Sequence, residues 1–282
     1  MRRMCSGKRP RLRYAAAVVI GLPLFAAATY QAEIAAWRHE REAHLRADGG
    51  WLTVTGLFWL HEGRNTFGTD PKSDIVLPAG PAQAGIFDLH NGNVTATTAG
   101  STRNLHPDSD DFVSAGRLRL YVIDRAGRIG IRLKDPQSPY LRDFHGIEAF
   151  PAREEYRILA RFVPEPKKVP ITNIIGQTEP EDSPGYVVFR LQGREYRLRP
   201  VIDEPGSRDL FFIFRDLTGG HETYGAGRFL DTPPPQNGQV VLDFNKAYNP
   251  PCAFTPYATC PLPPKENRLP VRIEAGEKKY GH

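Results

Sequence analysis

Cysteine is scarce in this chain, with three residues in 282, and one of them, Cys5, sits in a basic head. Cys252 and Cys260 are separated by seven residues with no histidine close by, which excludes the spacing of a zinc pair. No Gly-x-Ser-x-Gly elbow offers a serine nucleophile, and Gly225-Ala226-Gly227 stands before Arg-Phe-Leu rather than in the strand-to-helix setting of a nucleotide loop. Internal repeats and low-complexity tracts are absent, and beyond Trp51 no helical period runs longer than about two turns. These absences leave a folded chain without a ready-made catalytic or metal signature.

Acidic residues are missing from positions 1–30, which hold six of the 37 basic residues: Arg2, Arg3, Lys8, Arg9, Arg11 and Arg13. The remainder sets 31 basic against 32 acidic side chains, a net charge of −1, although the whole chain stands at +5. The folded part therefore has no bulk positive charge with which to hold nucleic acid. The basic head is followed by the apolar run AAAVVIGLPLFAAA at 15–28, shorter than a comfortable bilayer span, with an A-x-A cleavage pattern at Ala26-Ala27-Ala28. Residues 1–30 are thus expected to be a secretory signal peptide, or equally a membrane anchor through 14–30. Either way the rest is placed in the periplasm or another extracytoplasmic space. In that oxidising space Cys252 and Cys260 are expected to form a disulfide worth roughly 2 to 3 kcal/mol, the competing reading being two buried, unlinked thiols.

What is present after the apolar run divides the chain further. Residues 31–48 carry Ile34, Trp37 and Leu45 at helical spacing, with Arg38 and Glu42 set for an i,i+4 ion pair and Gly49-Gly50 as a stop. One amphipathic helix is predicted there, either a spacer from the membrane or a lid. Residues 49–282 read as a β-rich domain, with a subdivision near 135–145 as an option. Residues 118–124 turn through Arg125-Ala126-Gly127 into RIGIRL, and residues 186–191 turn through Gln192-Gly193 into REYRLRP, so both read as hairpins. Asn91-Gly92 marks a third two-residue turn, and LFFIFRD at 210–216, apolar on both faces, suits a central strand. The proline-rich passage 164–184 reads as a long connection that could hide one strand at 169–175. The expected fold is mainly β, a β-sandwich-like or twin β-subdomain body behind the signal or anchor segment and one helix.

Two polar clusters are candidates for a site. The glycine-rich loop after the central strand holds Asp216, His221, Glu222, Tyr224 and Arg228, where His-Glu could perform acid–base work. Its competing reading is a β-bulge or hairpin in which Arg228 pairs with Asp216 or Asp243. The proline-interrupted stretch 243–271 holds Asp243, Asn245, Asn249, Tyr257, Glu266 and Asn267. Carboxylates and amides of this kind suit a polar ligand such as a sugar or peptide end, or a hard cation, and they equally satisfy a buried irregular backbone. Two functions follow. One is a small-polar-ligand or structural module of the cell envelope, with ligand-binding residues Asp216, Tyr224, Arg228, Asp243, Asn245, Asn249 and Asn267. The alternative is a hydrolase with His221, Glu222 and Glu266 catalytic. No cofactor or metal is implied.

Residues GRNTFGTDPKSDIVLP at 63–78 partly resemble the start of a forkhead-associated domain, but a phosphate-reading arginine and Ser-x-x-His are not in place, and a β-hairpin with a Thr-Asp-Pro turn competes with that reading. The strings LTVTGLFWLHEGRNTFGTDPKSDIVLP, FRDLTGGHETYGAGRFLD and LDFNKAYNPPCAFTPYATCPLPPKENRLPVRIEAGEK are similar to the domain of unknown function 1684 family of bacterial and archaeal proteins. The resemblance extends over nearly all of the exported part and implies no activity, because none is attached to the family.

Overall fold

The structure, a computed structural model, describes residues 23–281 apart from 205, with side chains from Thr29 onward. The expected signal or anchor segment, with Cys5 in it, lies outside the described residues but for its last few positions. The described chain is mainly β and groups into two compact units. The first comprises Arg46–Phe144 and Thr255–Ala258; the second comprises 23–45, His145–Phe254 and 259–281.

The leading helix α1 (Pro23–Arg46) starts earlier than the predicted 31–48 and stops before the Gly49-Gly50 pair. Its Tyr30, Ile34 and Leu45 are buried, as the spacing predicts. The expected Arg38–Glu42 pair does not form. Arg38 donates to the Phe150 carbonyl at 2.7 Å and Glu42 accepts from the Ile147 amide at 2.9 Å. Tertiary partners displace the local pair because an exposed i,i+4 bridge is worth only a few tenths of a kcal/mol, about 0.3.

In the first unit, β1 (Val54–Trp59), β2 (Gly63–Gly68), β3 (Ile75–Val76), β4 (Gly85–His90), β5 (Asn93–Thr98), β6 (Ser101–Leu105), β7 (Phe112–Ala115), β8 (Leu118–Arg125) and β9 (Arg128–Lys134) form two sheets. Their orders are β1-β9-β8-β7 and β3-β2-β4-β5-β6. Phe67 and Phe87 from one sheet share a core with Leu120 and Ile131 from the other, which makes a sandwich. Ala126-Gly127 and Asn91-Gly92 take positive φ, 54° and 82° then 51° and 81°, and so close the predicted hairpins as two-residue turns. Residues 63–78 are not a hairpin: β2 and β3 pair in parallel, joined through a turn in which Asp70 accepts the Lys72 amide at 2.9 Å. A one-turn helix α2 (Pro139–Arg142), capped by Ser138, ends the unit.

The second unit contains β10 (Arg157–Thr172), β11 (Thr178–Leu191), β12 (Arg194–Leu198), β13 (Leu210–Phe214), β14 (Arg228–Thr232) and β15 (Gln239–Asp243). A four-stranded sheet runs β12-β11-β10-β15, and β13 pairs with β14 alone. The proline-rich connection is instead the long β10–β11 hairpin, and the reason is geometric. β15 flanks β10 only over Arg157–Arg161, and β12 flanks β11 only over Val187–Leu191. Beyond those limits both strands have an unpaired edge where a missing N–H costs no ladder bond, so Pro164, Pro166, Pro170, Pro180 and Pro184 are tolerated. β13 is buried along its whole length, but it belongs to a two-stranded sheet rather than to the middle of a large one. Its Phe212 and Phe214 pack with Phe189, Leu242 and Phe244 in the second core.

Candidate functional site

Both predicted clusters fall in the second unit, apart from Tyr257. The glycine-rich loop returns β13 to β14 and carries its charges inward. Arg228 Nη2 lies 3.5 Å from Asp216 Oδ1, with both side chains 1% exposed. Asp216 also accepts from Thr218 Oγ1 at 2.7 Å and from the Ile273 amide at 2.5 Å, while Arg228 donates to the carbonyls of Ile273, at 3.0 Å, and Ala275. Burial pushes the Arg228 guanidinium below its ordinary pKa, and the nearby Asp216 and Glu277 charges oppose that shift. Such a closed set of bonds leaves neither group for a ligand. Tyr224 donates to the Cys252 carbonyl at 3.1 Å and is likewise structural.

The stretch 243–271 uses its polar side chains on its own backbone and on α1. Asp243 Oδ1 accepts from Tyr30 Oη at 2.8 Å and from the Asn245 amide at 3.1 Å, capping a one-turn 3-10 helix at Phe244–Lys246. Asn245 donates to Tyr30 Oη at 2.7 Å and to the Arg153 carbonyl at 2.9 Å. Burial, followed by the hydrogen bond to Asp243, pushes the Tyr30 hydroxyl well above its ordinary pKa. Asn249 donates to the Lys278 carbonyl at 2.7 Å, and its amide reaches Glu277 Oε2 at 2.7 Å. Asn267 bridges the Arg199 and Ile213 carbonyls at 2.8 and 2.9 Å. All four are buried and spend hydrogen bonds on the surrounding chain, while Asp243 Oδ2 and Asn249 Oδ1 have no hydrogen-bond partner among the described residues. The expected Cys252–Cys260 disulfide is not present in the structure, where Cys260 Sγ accepts the Cys252 amide at 3.2 Å.

The catalytic trio is not assembled. His221 is exposed, Glu222 is ion-paired with Arg272, and no hydrogen bond or ion pair joins His221, Glu222 and Glu266 among the described residues. Nor do the described residues hold a group of three or more acidic, histidine or cysteine side chains set for a metal.

Glu266 alone of the predicted site residues lines a cleft of about 340 Å³, with Glu165, Lys167, Tyr186, Arg197, Leu198 and Arg199. Strand register builds it. Tyr186 on β11 and Arg197 on β12 point to the same face, and an irregularity between Pro164 and Lys167 on β10 swings Glu165 and Lys167 to the rim. Arg199 is held fast: its Nε is 3.3 Å from Glu266 Oε2, its Nη1 is 3.3 Å from the Gly185 carbonyl, and its Nη2 pairs with Glu165. Lys167 stands 3.8 Å from both carboxylates. The guanidinium of Arg197 lies 5.2 Å from the Tyr186 ring centre and has no ion pair among the described residues. The cleft therefore offers one uncommitted planar cation beside two carboxylates already shared between cations. Of these residues, sequence reading flags only Glu266. The alternation in YVVFRL and REYRLRP puts Tyr186 and Arg197 on one side of the hairpin, but nothing local in the sequence brings Glu165 to them.

Residues 142–278 match the family model described as Protein of unknown function (DUF1684). A solution NMR structure of an uncharacterized protein from Haloarcula marismortui is 33% identical, with 51% of this chain and 82% of that one covered at a TM-score of 0.42. No curated protein matches. The partial forkhead-associated likeness at 63–78 lies outside the family match.

Proposed function

We propose, for a chain that belongs to the DUF1684 family over residues 142–278, that the second unit binds a small polar ligand carrying both an anionic and a cationic or hydroxyl group, as a peptide end or amino acid does. The observation that carries this reading is the cleft in which Arg197, stacked on Tyr186, has no ion pair among the described residues while Glu165 and Glu266 line the same cleft. A ligand carboxylate would take a two-pronged bond from Arg197, and an ammonium or hydroxyl would turn to Glu266. Tyr186 supplies a flat wall that costs little ordering. The basic head and apolar run at 1–30 support an extracytoplasmic setting, as a secreted or membrane-anchored envelope protein. Among the described residues, no hydrogen bond or ion pair joins His221, Glu222 and Glu266 in support of the hydrolase.

The test is calorimetric titration with free amino acids, dipeptides and neutral monosaccharides. A zwitterionic ligand should bind, and Arg197→Gln and Glu266→Gln should each weaken it by about tenfold or more while leaving the melting temperature of the unliganded protein within a few degrees. Equal affinity of both variants and the parent for every ligand that binds, or binding of neutral sugars alone, would overturn the reading.

A further inference from the structure

The outer face of the β12-β11-β10-β15 sheet is exposed in part: Leu159, Arg161, Arg190 and Val241 are exposed, while Val188 between them is buried. Its inner residues Ala160, Val187, Phe189, Val240 and Leu242 enter the second core. Strand alternation therefore turns Leu159, Arg161, Val188, Arg190 and Val241 outward. Leu159 and Val241 are direct cross-strand partners and are 59% and 42% exposed, an apolar spot where polar side chains are the norm for a wet face. Around it stand arginines. Arg161 opposes Val188, which opposes Arg197, so the two cations flank one row, and Arg190 lies two residues along β11. Among the described residues Arg161 and Arg190 have no ion pair, and Glu195, opposite Arg190, is the single acid among the outward positions of β12.

We infer that this face docks on an anionic phospholipid surface. An apolar centre ringed by arginines is the chemistry of the interfacial layer: guanidiniums take lipid phosphates while short apolar side chains sink below them. The chain itself points the same way. On the same strand Arg157 stacks over Tyr30 at 5.4 Å and pairs with Glu33 at 3.8 Å, and the residues just before Tyr30 in sequence are the apolar run 15–28. The start of α1 is thus fastened to the edge of the arginine face. An anchored chain would hold that face within reach of headgroups. A nucleic acid would use the arginines but not the exposed leucine and valine.

The experiment uses the full chain with Leu159→Trp as a reporter, mixed with vesicles of phosphatidylglycerol or of phosphatidylcholine. A difference spectrum against the parent isolates the new indole. We expect a blue shift with phosphatidylglycerol only, reversed by high salt. Adding Arg161→Gln and Arg190→Gln should weaken that response by about thirtyfold, from about 1 kcal/mol per arginine. Both lie outside the cleft, so amino-acid or dipeptide titration of the same variant separates failure of this inference from failure of the cleft reading. Equal shifts with both lipids, no shift, an unchanged response in the double variant, or tighter binding to a duplex oligonucleotide than to vesicles would each overturn the inference.

Discussion

Glu181 shows how a single side chain can set the pH response of this fold. It sits on the two-stranded part of the β10–β11 hairpin, where burial first and then the charges of Glu179 and Asp203 push its carboxyl up to about 7. The unfolded chain gives up this proton near its ordinary value of 4.5, while the folded chain keeps it until about 7. Between those values each step up in pH favours unfolding, so stability from this group is full in acid and lost toward neutrality. Glu181→Gln removes the loss. Denaturant unfolding should show the variant more stable at pH 8 by about 1 kcal/mol, a figure reduced for solvent screening, and equal to the parent at pH 4. Equal gains at both values would mean that packing, not charge, sets the effect. This environment is invisible in the sequence, because Asp203 arrives from a loop beyond β12. The same holds for the cleft. Asn245, Asn249 and Asn267 could be read as backbone partners because proline-rich stretches leave carbonyls to satisfy close by. Arg197 and Glu165 meet only through a strand irregularity.

At the scale of elements, local turn chemistry was the legible part. Asn91-Gly92, Ala126-Gly127 and Gln192-Gly193 all take the positive φ that two-residue hairpin loops need. Proline was misleading for 164–184 because its penalty depends on whether a neighbouring strand needs the lost donor, and pairing partners are not written locally. The leading helix is a third case. Its period is plain, but its partners are not: α1 is fastened to the second unit by long-range bonds that no local pattern announces. Arg41 illustrates the fastening. It lies 3.3 Å from Glu277, donates to the Asn249 carbonyl at 3.0 Å and stacks 4.7 Å from the Tyr248 ring centre. Burial pushes the Glu277 carboxyl up, and Arg41 is the first influence opposing that shift. Arg41→Leu would therefore leave a buried carboxylate without its counter-charge. The expected loss is about 3 kcal/mol or more, with α1 becoming the first segment cut in limited proteolysis. Unchanged stability would show that the helix contributes little to the fold.

For the whole molecule, charge is divided rather than diffuse. Six basic residues and no acid lie in 1–30, and the other 252 positions nearly cancel. That division leaves a body with no general affinity for polyanions, so any attraction to anions must come from local clusters such as the arginine face. No described helix is long and apolar enough to cross a membrane; the apolar run at 15–28, with its basic flank, is the segment to test for export. Fusing residues 1–45 ahead of mature alkaline phosphatase tests this directly, because that enzyme is active only after export into an oxidising space. Activity is expected from the fusion, and Leu22→Arg with Leu24→Arg, which breaks the apolar run, should abolish it. An inactive parent fusion would place the body in the cytoplasm and remove the membrane from the reach of the arginine face, and activity that survives the two arginines would show that export does not depend on the apolar run.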